Sequence, residues 1–428
     1  MLYAVDRSEA ELQTEFLLMK RRRVAITGCG VVSALGMSRS ELFDSLESGR
    51  CAVRTMPEWR KELGTEVLAA PVALAPGAER AIDRKMRRSM GRAALFAALA
   101  AKQAVSESGL SAQELCSGRC GCVISSTMGS SSSIVEATEL LLTGRREEMP
   151  AQQFFKCVSH SSAFNVANYL GICGVLLSPC SACASGAQSI GEGAELIAFG
   201  RQEMVVAGGS DEVTPAVAGS FSQLFALAEG EGVAPEKASR PFDAARSGLV
   251  CGEGAGVVVL EELEHARSRG AHILGEIVAY ATNCGGEHVS QSDRGAIARC
   301  IRTALAEAGT AAEAVDYVSA HATATIAGDR EEAAALLGVF GAGTPVAGLK
   351  GQLGHTLGAS GAIELAALLE MIRRHRMLPT RNLDEVAADC AGLNHLREVV
   401  DGGIGLALKI SVAFGGVNAV LGVRGFTE

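Results

Sequence analysis

The chain has 428 residues, of which 48% are apolar and 20% charged, so it has the composition of an ordinary globular enzyme and room for two domains or one duplicated fold. Its formal net charge of −9 argues against a general nucleic-acid binder, since such proteins are usually basic. The sequence has no uncharged apolar span of about 18 residues, so no transmembrane helix and no membrane partner are predicted.

The N-terminal segment and the cysteine content bear on location. Residues 1–18 carry four acidic residues and no cleavage-like site, so we interpret them as an extension without structural role before Met19, not as a signal peptide. Thirteen cysteines in 428 residues are fewer than a secreted disulfide scaffold carries. We therefore expect a reduced, cytoplasmic protein.

In chain order, short apolar runs alternate with helical stretches, which is typical of an α/β fold. The first run is a strand, RRVAITGCG, and the capping box Ser38-x-x-Glu41 then predicts a helix through Leu46. GCVISST is a strand, and helices are predicted near 131–143 and over 184–199, the second from apolar residues recurring every three or four positions. The strands EMVVAGG and GVVVLEE follow.

Near residue 265 the order of elements starts again. HILGEIVAYATNCGG resembles the opening strand and its Gly-rich turn. A helix (297–308), the strand VDYVSAH, a helix after Asp329, the strand TPVAGL, a helix (361–374) and two final strands come next. We predict two similar, tightly fused α/β halves, 19–265 and 266–428, because no linker composition separates them.

Two cysteines stand three apart in SPCSACASG, at positions 180 and 183. Cys183 follows the strand-like GVLLSPC and directly precedes a helix, where the helix dipole and backbone N–H groups favour the reactive thiolate. Cys180 is expected to pack as a small buried residue. A structural cysteine, a redox pair and half of a zinc site are the alternatives, although no Cys/His set completes a convincing zinc site.

Two histidines and one lysine occupy similar positions between a strand and a helix. His321 ends VDYVSAH, while Lys350 and His355 lie in LKGQLGHTLGASGA. Functional loops of α/β proteins gather at this side of the sheet. A cysteine that accepts an acyl group, with imidazoles that stabilise an enolate or oxyanion, suits carbon–carbon bond formation on thioesters.

Six motifs in order over residues 20–426 resemble the β-ketoacyl-acyl-carrier-protein synthases, the elongating condensing enzymes of fatty-acid and polyketide synthesis. They are SACASGAQSIGEGAELI, SRPFD, SGLVCGEGAG, VSAHATATIAGDREE, LKGQLGHTLGASGA and AFGGVN. The resemblance implies a duplicated thiolase-type five-layer α/β/α/β/α sandwich, normally dimeric. It also implies a decarboxylative Claisen condensation between a malonyl carrier and an acyl chain held on Cys183.

The same resemblance implies a role for each matching residue. Cys183 is the nucleophile, and His321 and His355 assist decarboxylation. Lys350, paired with Glu332 and with Asp329 nearby, sets the electrostatics. The N–H groups of Cys183 and Phe414 form the oxyanion hole, and Phe414 gates the acyl tunnel. The remaining positions are implied to contact the phosphopantetheine arm (Thr323, Thr325) and to dock acyl carrier protein (Lys85, Arg88). No metal and no resident cofactor are expected.

Three positions depart from the family pattern. Ala322 replaces the glycine after the first histidine, Ala413 replaces the glycine before the gate phenylalanine, and Val417 replaces a threonine. They leave the reacting groups in place and favour a specialised branch, such as an aryl-polyene or polyketide-like pathway.

Several related activities fit the sequence less well. A thiolase needs a second cysteine in the C-terminal Gly-rich turn, and no cysteine follows Cys390. A priming synthase carries Asn at the position of His355, and an inactive chain-length factor lacks the nucleophile. Two alternatives to this condensing activity stay open. One is a condensing subunit active only beside a chain-length-factor partner, and the other is a non-enzymatic or redox protein that uses the Cys180/Cys183 pair. The subunit arrangement is a homodimer or a heterodimer.

Overall fold

The computed structural model describes residues 21–230 and 232–426, so the interpretation of residues 1–18 lies outside the described part of the chain. Its strands are β1 Val24–Ser33, β2 Arg54–Thr55, β3 Leu68–Ala70, β4 Cys120–Ser125, β5 Leu176–Leu177, β6 Met204–Asp211, β7 Cys251–Gly252, β8 Gly254–Glu262, β9 Gly275–Cys284, β10 Tyr317–Ser319, β11 Pro345–Ala347, β12 Arg376–Met377, β13 Asn394–His395, β14 Val400–Asp401, β15 Leu406–Val412 and β16 Val417–Arg424.

The α-helices are Arg39–Glu47, Arg60–Leu63, Arg84–Arg87, Arg92–Ser108, Ala112–Leu115, Ser131–Leu142, Gln153–Cys157, Ser161–Leu170, Ser185–Ala198, Pro215–Gln223, Pro235–Ala238, Leu263–Ser268, Arg294–Glu307, Ile326–Phe340, Lys350–Leu353 and Ser360–Arg374. Short 3-10 turns include Ala182–Ala184 and Leu357–Ala359. Within residues 21–230 and 232–426, no helix has the length and apolar character needed to cross a membrane.

Most strands join one sheet in the order β13-β11-β10-β15-β16-β9-β1-β8-β6-β4-β5. Outward from β1, the pairings to β8, β6, β4 and β5 are antiparallel, antiparallel, parallel and parallel. Outward from β9, the pairings to β16, β15, β10 and β11 follow the same sequence. The fold is therefore duplicated, and the predicted division of the chain at residue 265 stays a prediction.

The helices form three layers: one outside each half of this sheet and one between the two halves. Arg92–Ser108 and Ser161–Leu170 cover the strands of the first half, and Arg294–Glu307 and Ile326–Phe340 lie on the second half. Between the halves, Ser185–Ala198 and Ser360–Arg374 contact each other and strands of both halves. The second of these inner helices is buried from Ser360 to Ile372, as a helix that is apolar on nearly every face should be. The predicted α/β/α/β/α sandwich is confirmed.

Local sequence patterns predict most element bounds well, with three differences. Ser38 accepts the Glu41 N–H at 3.2 Å as predicted, but the Glu41 carboxylate accepts the N–H of Met37 instead of closing the box on Ser38. The strand predicted in GVLLSPC is only Leu176–Leu177. The helix expected after Asp329 begins at Ile326, so Asp329 lies in its first turn.

Candidate active site

Cys183 and His355 occupy equivalent places in the two halves. Cys183 lies between β5 and the inner helix Ser185–Ala198, and His355 lies between β11 and the inner helix Ser360–Arg374. His321 follows β10. Because the two inner helices pack against each other, the residues that precede them meet at one end of the middle layer.

The three side chains form a compact cluster. His355 Nε2 lies 2.9 Å from Cys183 Sγ. The imidazoles of His321 and His355 have ring centroids 5.1 Å apart and are nearly perpendicular, at 84°. One ligand-type atom from each of the three residues lies within 4.8 Å of the others. A thiol and two imidazoles at this spacing suit either acyl transfer or a soft metal ion such as zinc, so spacing alone does not exclude a metal.

Cys183 sits in a tight turn that the following helix stabilises. Ala182 adopts φ of 47°, in the left-handed region. Ser185 Oγ accepts the Ser181 N–H at 3.0 Å and donates to Ala182 O at 2.6 Å. Cys183 therefore stands at the start of its helix, as predicted.

The predicted low pKa of this thiol is wrong. Burial raises the pKa of Cys183 to about 12, although Lys350 opposes the shift. Desolvation outweighs the helix terminus because the side chain is only 5% exposed. Near neutral pH the residue is therefore a thiol and not a thiolate.

His355 is held by its main chain. Its N–H donates to Val250 O at 2.7 Å, and its carbonyl accepts the Gly252 N–H at 2.8 Å. Both partners lie in the motif SGLVCGEGAG, so this motif is a support for the second histidine. Further along, the Gly358 N–H donates to a carboxylate oxygen of Asp211 at 2.6 Å, which ties the loop to the end of β6.

The backbone of residues 321–324 is held by two buried carboxylates. Glu332 accepts the N–H groups of His321 and Ala322 at 2.6 and 2.7 Å. Asp329 accepts the N–H groups of Ala324 and Phe242 at 3.0 and 2.7 Å, and burial raises the pKa of Asp329 to about 7. The motif SRPFD contains Phe242, so it too supports this segment.

The expected pair of Lys350 with Glu332 is wrong. Lys350 Nζ lies 2.5 Å from Glu364 Oε1 and donates to His321 O at 2.6 Å. The other oxygen of Glu364 lies 2.6 Å from Lys409 Nζ. Glu332 faces backbone N–H groups instead, and the two ammonium groups influence it only at longer range.

Sequence reasoning missed Glu364 and Lys409. Each is a single charged residue inside an apolar run, GAIELAALL and LALKISV, and both are buried. Since an unpaired charge is costly inside a core, two such residues of opposite sign are a usable sequence signal for a buried ion pair.

Two family profiles and several known proteins match most of the chain. The family profile described as "Beta-ketoacyl synthase, N-terminal domain" matches residues 21–266, and the one described as "Beta-ketoacyl synthase, C-terminal domain" matches residues 274–384. The chain belongs to the beta-ketoacyl synthase family.

Individual members of the family match over nearly their full length. The chain is 36% identical over 406 residues to 3-oxoacyl-[acyl-carrier-protein] synthase 1 of Haemophilus influenzae, covering 94% of this chain and 98% of that protein. A beta-ketoacyl synthase from Burkholderia phymatum has a TM-score of 0.90 at 38% identity, covering 95% of this chain and all of the other. The ishigamide ketosynthase/chain length factor has a TM-score of 0.87 at 33% identity, with 95% and 100% covered.

Both histidines of this beta-ketoacyl synthase are neutral at rest. Burial lowers the pKa of His321 and of His355 well below the ordinary histidine value, and the ammonium groups of Lys350 and Lys409 lower both further. Neither Nδ1 atom has a hydrogen-bond partner among the described residues, so the one neighbour that bears on a tautomer there is the Cys183 thiol at Nε2 of His355. Each ring is thus free to accept or donate a proton at Nε2.

A cavity of about 270 Å³ gives access to this cluster. Its wall includes Cys183, both histidines, Thr323, Thr325 and Phe414. The hydroxyls of the two threonines lie 2.9 Å apart. The ring of Phe414 packs near that of Phe221, with centroids 6.0 Å apart. The structure therefore brings every predicted catalytic, arm-binding and gate residue except the buried Lys350 to one cavity.

The structure describes the backbone at the three departures from the family pattern. Ala322 adopts φ of 42°, a conformation that favours glycine, and a methyl group built on Gly348 would lie 2.4 Å from the Ala322 Cβ. Ala413 donates its N–H to Val417 O at 2.8 Å, closing the turn that carries Phe414. The turn is thus hydrogen-bonded through backbone atoms and does not need a hydroxyl at position 417.

The remaining predicted residues lie apart from the cavity wall. Lys85 and Arg88 are exposed in and just after the helix Arg84–Arg87, and neither forms an ion pair with another residue of the described segments. Cys180 is exposed, so the prediction that it is buried is wrong; its Sγ faces the carbonyls of Ser126 and Thr127 at 3.4 Å. All thirteen cysteines are free, including Cys180 and Cys183.

Proposed function

We propose that this chain catalyses the decarboxylative Claisen condensation of malonyl-acyl-carrier-protein with an acyl chain held as a thioester on Cys183. The product is a β-ketoacyl-acyl-carrier-protein. The observation that supports this most strongly is the 2.9 Å contact between Cys183 Sγ and His355 Nε2 in a cavity shared with His321. Family membership supports the reaction class independently.

The first step is acyl transfer to the enzyme. Sγ attacks the thioester carbonyl carbon of the acyl carrier while His355 Nε2 takes the thiol proton. The carbon–sulfur bond to the pantetheine arm breaks, and the departing thiolate takes that proton. A neutral thiol beside a neutral imidazole is the starting state this step needs, because the proton moves only as the new bond forms.

The second step uses both histidines as donors. The malonyl carbon–carbon bond breaks, CO₂ leaves, and the electron pair becomes an enolate whose oxygen accepts hydrogen bonds from the Nε2–H groups of His321 and His355; His355 takes the tautomer protonated at Nε2 once Cys183 is acylated and no longer offers it a thiol proton. The enolate carbon attacks the acyl carbonyl on Cys183, and the N–H groups of Cys183 and Phe414 stabilise the resulting oxyanion. The thiolate leaves and regains a proton from water by way of His355.

Other residues in and around the cavity have supporting roles. Thr323 and Thr325 contact the phosphopantetheine arm, and Phe414 gates the acyl tunnel. Lys350, Glu332 and Asp329 keep the His321 segment in place. Lys85 and Arg88 dock the acidic acyl carrier protein, since both are exposed and unpaired among the described residues. The reaction needs no resident cofactor, because the substrates arrive on the carrier's arm.

The chain also pairs with a second copy or with a related subunit. Three apolar side chains, Leu142, Phe154 and Phe155, are 83%, 69% and 45% exposed, and Leu176–Leu177 is an edge strand of the sheet. Exposed apolar side chains and an edge strand with unpaired backbone groups are both suited to association. The substrate is a fatty acyl or a specialised polyene or polyketide-type chain, and the location is the cytoplasm.

The alternatives are less well supported. A redox pair is not favoured, because Cys183 Sγ contacts His355 while Cys180 Sγ faces backbone carbonyls. Activity only beside a chain-length-factor partner is not favoured either, since the Haemophilus relative is named 3-oxoacyl-[acyl-carrier-protein] synthase 1, with no chain length factor in its name.

The test is acyl-enzyme mass spectrometry across saturated, polyunsaturated and aryl carrier substrates. We expect one acyl mass, mapped to Cys183, with the preferred class showing the fastest loading. Cys183→Ala and Cys183→Gln abolish condensation, and the matched variant Cys180→Ser retains most of it. An adduct at another residue, or equal loss from both cysteines, contradicts the proposal.

A further inference from the structure

Lys409 is a buried charge that the mechanism above does not use. It lies on β15, a central strand, and its side chain is fully buried. A lysine in such a place is retained only where specific partners compensate its desolvation. The partners of Lys409 connect it to one catalytic residue.

The ammonium group makes two kinds of contact. It lies 2.6 Å from Glu364 Oε2, and it donates to the carbonyls of Ile410, Ser319 and Ala320 at 2.5, 3.4 and 3.5 Å. Ser319 and Ala320 are the two residues immediately before His321. Lys409 therefore contacts the backbone from which His321 projects.

Glu364 links this lysine to Lys350. Its Oε1 lies 2.5 Å from Lys350 Nζ and also accepts a hydrogen bond from Ser360 Oγ at 3.1 Å. Burial alone would raise the pKa of Glu364, but the positive charges of Lys350 and Lys409 outweigh burial and lower it, so the Glu364 carboxylate is ionised. The result is a buried Lys350–Glu364–Lys409 bridge.

The bridge surrounds the His321 segment on its carbonyl side. Lys409 contacts the carbonyls of residues 319 and 320, and Lys350 binds the carbonyl of His321. Glu332 binds the N–H groups on the opposite side. By contrast, the main chain of His355 is held by Val250 and Gly252, and the turn carrying Cys183 is held by Ser185. Neither of these supports includes Lys409.

We propose that Lys409 is a positioning residue for His321, acting through the 319–320 carbonyls and through Glu364, and that it serves the malonyl half of the reaction and not the acyl-loading half. This inference rests on the proposed function. Removing the ammonium group loosens His321 while Cys183 and His355 keep their contact. Misplacing one catalytic group by about 1 Å costs up to about 100-fold in rate.

The test separates the two half-reactions in the full-length chain carrying Lys409→Met. Acyl loading is followed by mass spectrometry of Cys183. Decarboxylation is followed as CO₂ release from malonyl-acyl-carrier-protein on enzyme whose Cys183 has been alkylated. We expect loading within about threefold of wild type, and decarboxylation with kcat reduced at least about tenfold and KM changed less than about twofold. Lys409→Arg is expected to recover part of the lost kcat, because it keeps the charge.

The chain offers a matched control on the same strand. Ser411 is two residues further along β15, so its side chain is on the same face, and it is fully buried with no hydrogen-bond partner among the described residues for its hydroxyl. Ser411→Ala is expected to leave both half-reactions unchanged. Glu364→Gln provides a second test that does not depend on the folding of the lysine variant, because it keeps the side-chain shape and removes the carboxylate charge that pairs with both lysines. It is expected to show the same selective loss of decarboxylation.

Each outcome decides between explanations. Equal losses of loading and decarboxylation that follow a fall in melting temperature overturn the proposal in favour of a purely structural role. Unchanged decarboxylation in Lys409→Met, or in Glu364→Gln, also overturns it. If wild-type enzyme itself neither loads nor decarboxylates, the proposed function fails, and the role of Lys409 fails with it.

Discussion

The substitution Glu332→Gln tests how the His321 segment is held. In the native chain one carboxylate accepts two backbone N–H groups, at 2.6 Å from His321 and 2.7 Å from Ala322. A glutamine of the same shape has only one acceptor oxygen, and its NH₂ group faces the second backbone N–H. That N–H therefore loses its hydrogen-bond acceptor. The side chain is 2% exposed, and water does not replace the lost acceptor. The imidazole of His321 is expected to shift as its backbone relaxes.

The size of the effect follows from the buried donor. One unsatisfied backbone N–H costs about 1–3 kcal/mol, which is the expected fall in the free energy of unfolding. If the same energy is lost in the transition state, the condensation rate falls about 5- to 150-fold. Removing the Glu332 carboxylate also lowers the pKa of the His321 imidazole further, because its negative charge no longer offsets the positive charges of Lys350 and Lys409. We therefore expect the acid limb of the pH–rate profile to stay in place or to move to lower pH; a move to higher pH would contradict this reasoning.

The assay measures β-ketoacyl-carrier formation together with urea unfolding. Glu331→Gln is the matched control, because Glu331 neighbours Glu332 on the same helix and pairs with Arg294 and Arg330 at the surface. Its loss is expected to change stability by less than about 1 kcal/mol and leave the rate unchanged. A Glu332→Gln enzyme with wild-type rate and stability would refute the assignment.

Three further predictions concern the thiol, the carrier and the partner surface. Because burial raises the Cys183 pKa to about 12, its alkylation by iodoacetamide is expected to rise about tenfold per pH unit from pH 6 to 9, and a plateau in that range would indicate a preformed thiolate. The double substitution Lys85→Glu and Arg88→Glu is expected to raise KM for carrier-bound substrate about tenfold at low salt and less at high salt. Arg299→Glu is the remote control. An unchanged KM in the double variant, or an equal rise in the control, contradicts carrier docking at Lys85 and Arg88. Phe154→Asp with Leu142→Asp is expected to halve the mass measured by light scattering, and an unaltered mass excludes that surface as the subunit interface.

Much of the fold is predictable because its cues are local. The apolar spacing in 184–199 and the cap at Ser38 predict helices that the structure places within one residue of the expected ends. The short strand Leu176–Leu177 is the exception, because an edge strand has few cross-strand partners to extend it. The site residues on the six motifs are likewise found from adjacent sequence, and the duplication explains why Cys183 and His355 precede equivalent helices.

The sequence by itself determined which residues are candidates for the chemistry, because the predicted nucleophile, histidines and threonines lie in short motifs between a strand and a helix. Only the tertiary structure decided their partners and their protonation. Lys350 pairs with Glu364 and not Glu332, Lys409 joins them from a distant strand, and the Cys183 thiol is neutral despite its helix terminus. The physical reason is that charge pairing and desolvation depend on what packs around a group in three dimensions, and those neighbours come from elements far apart in the chain.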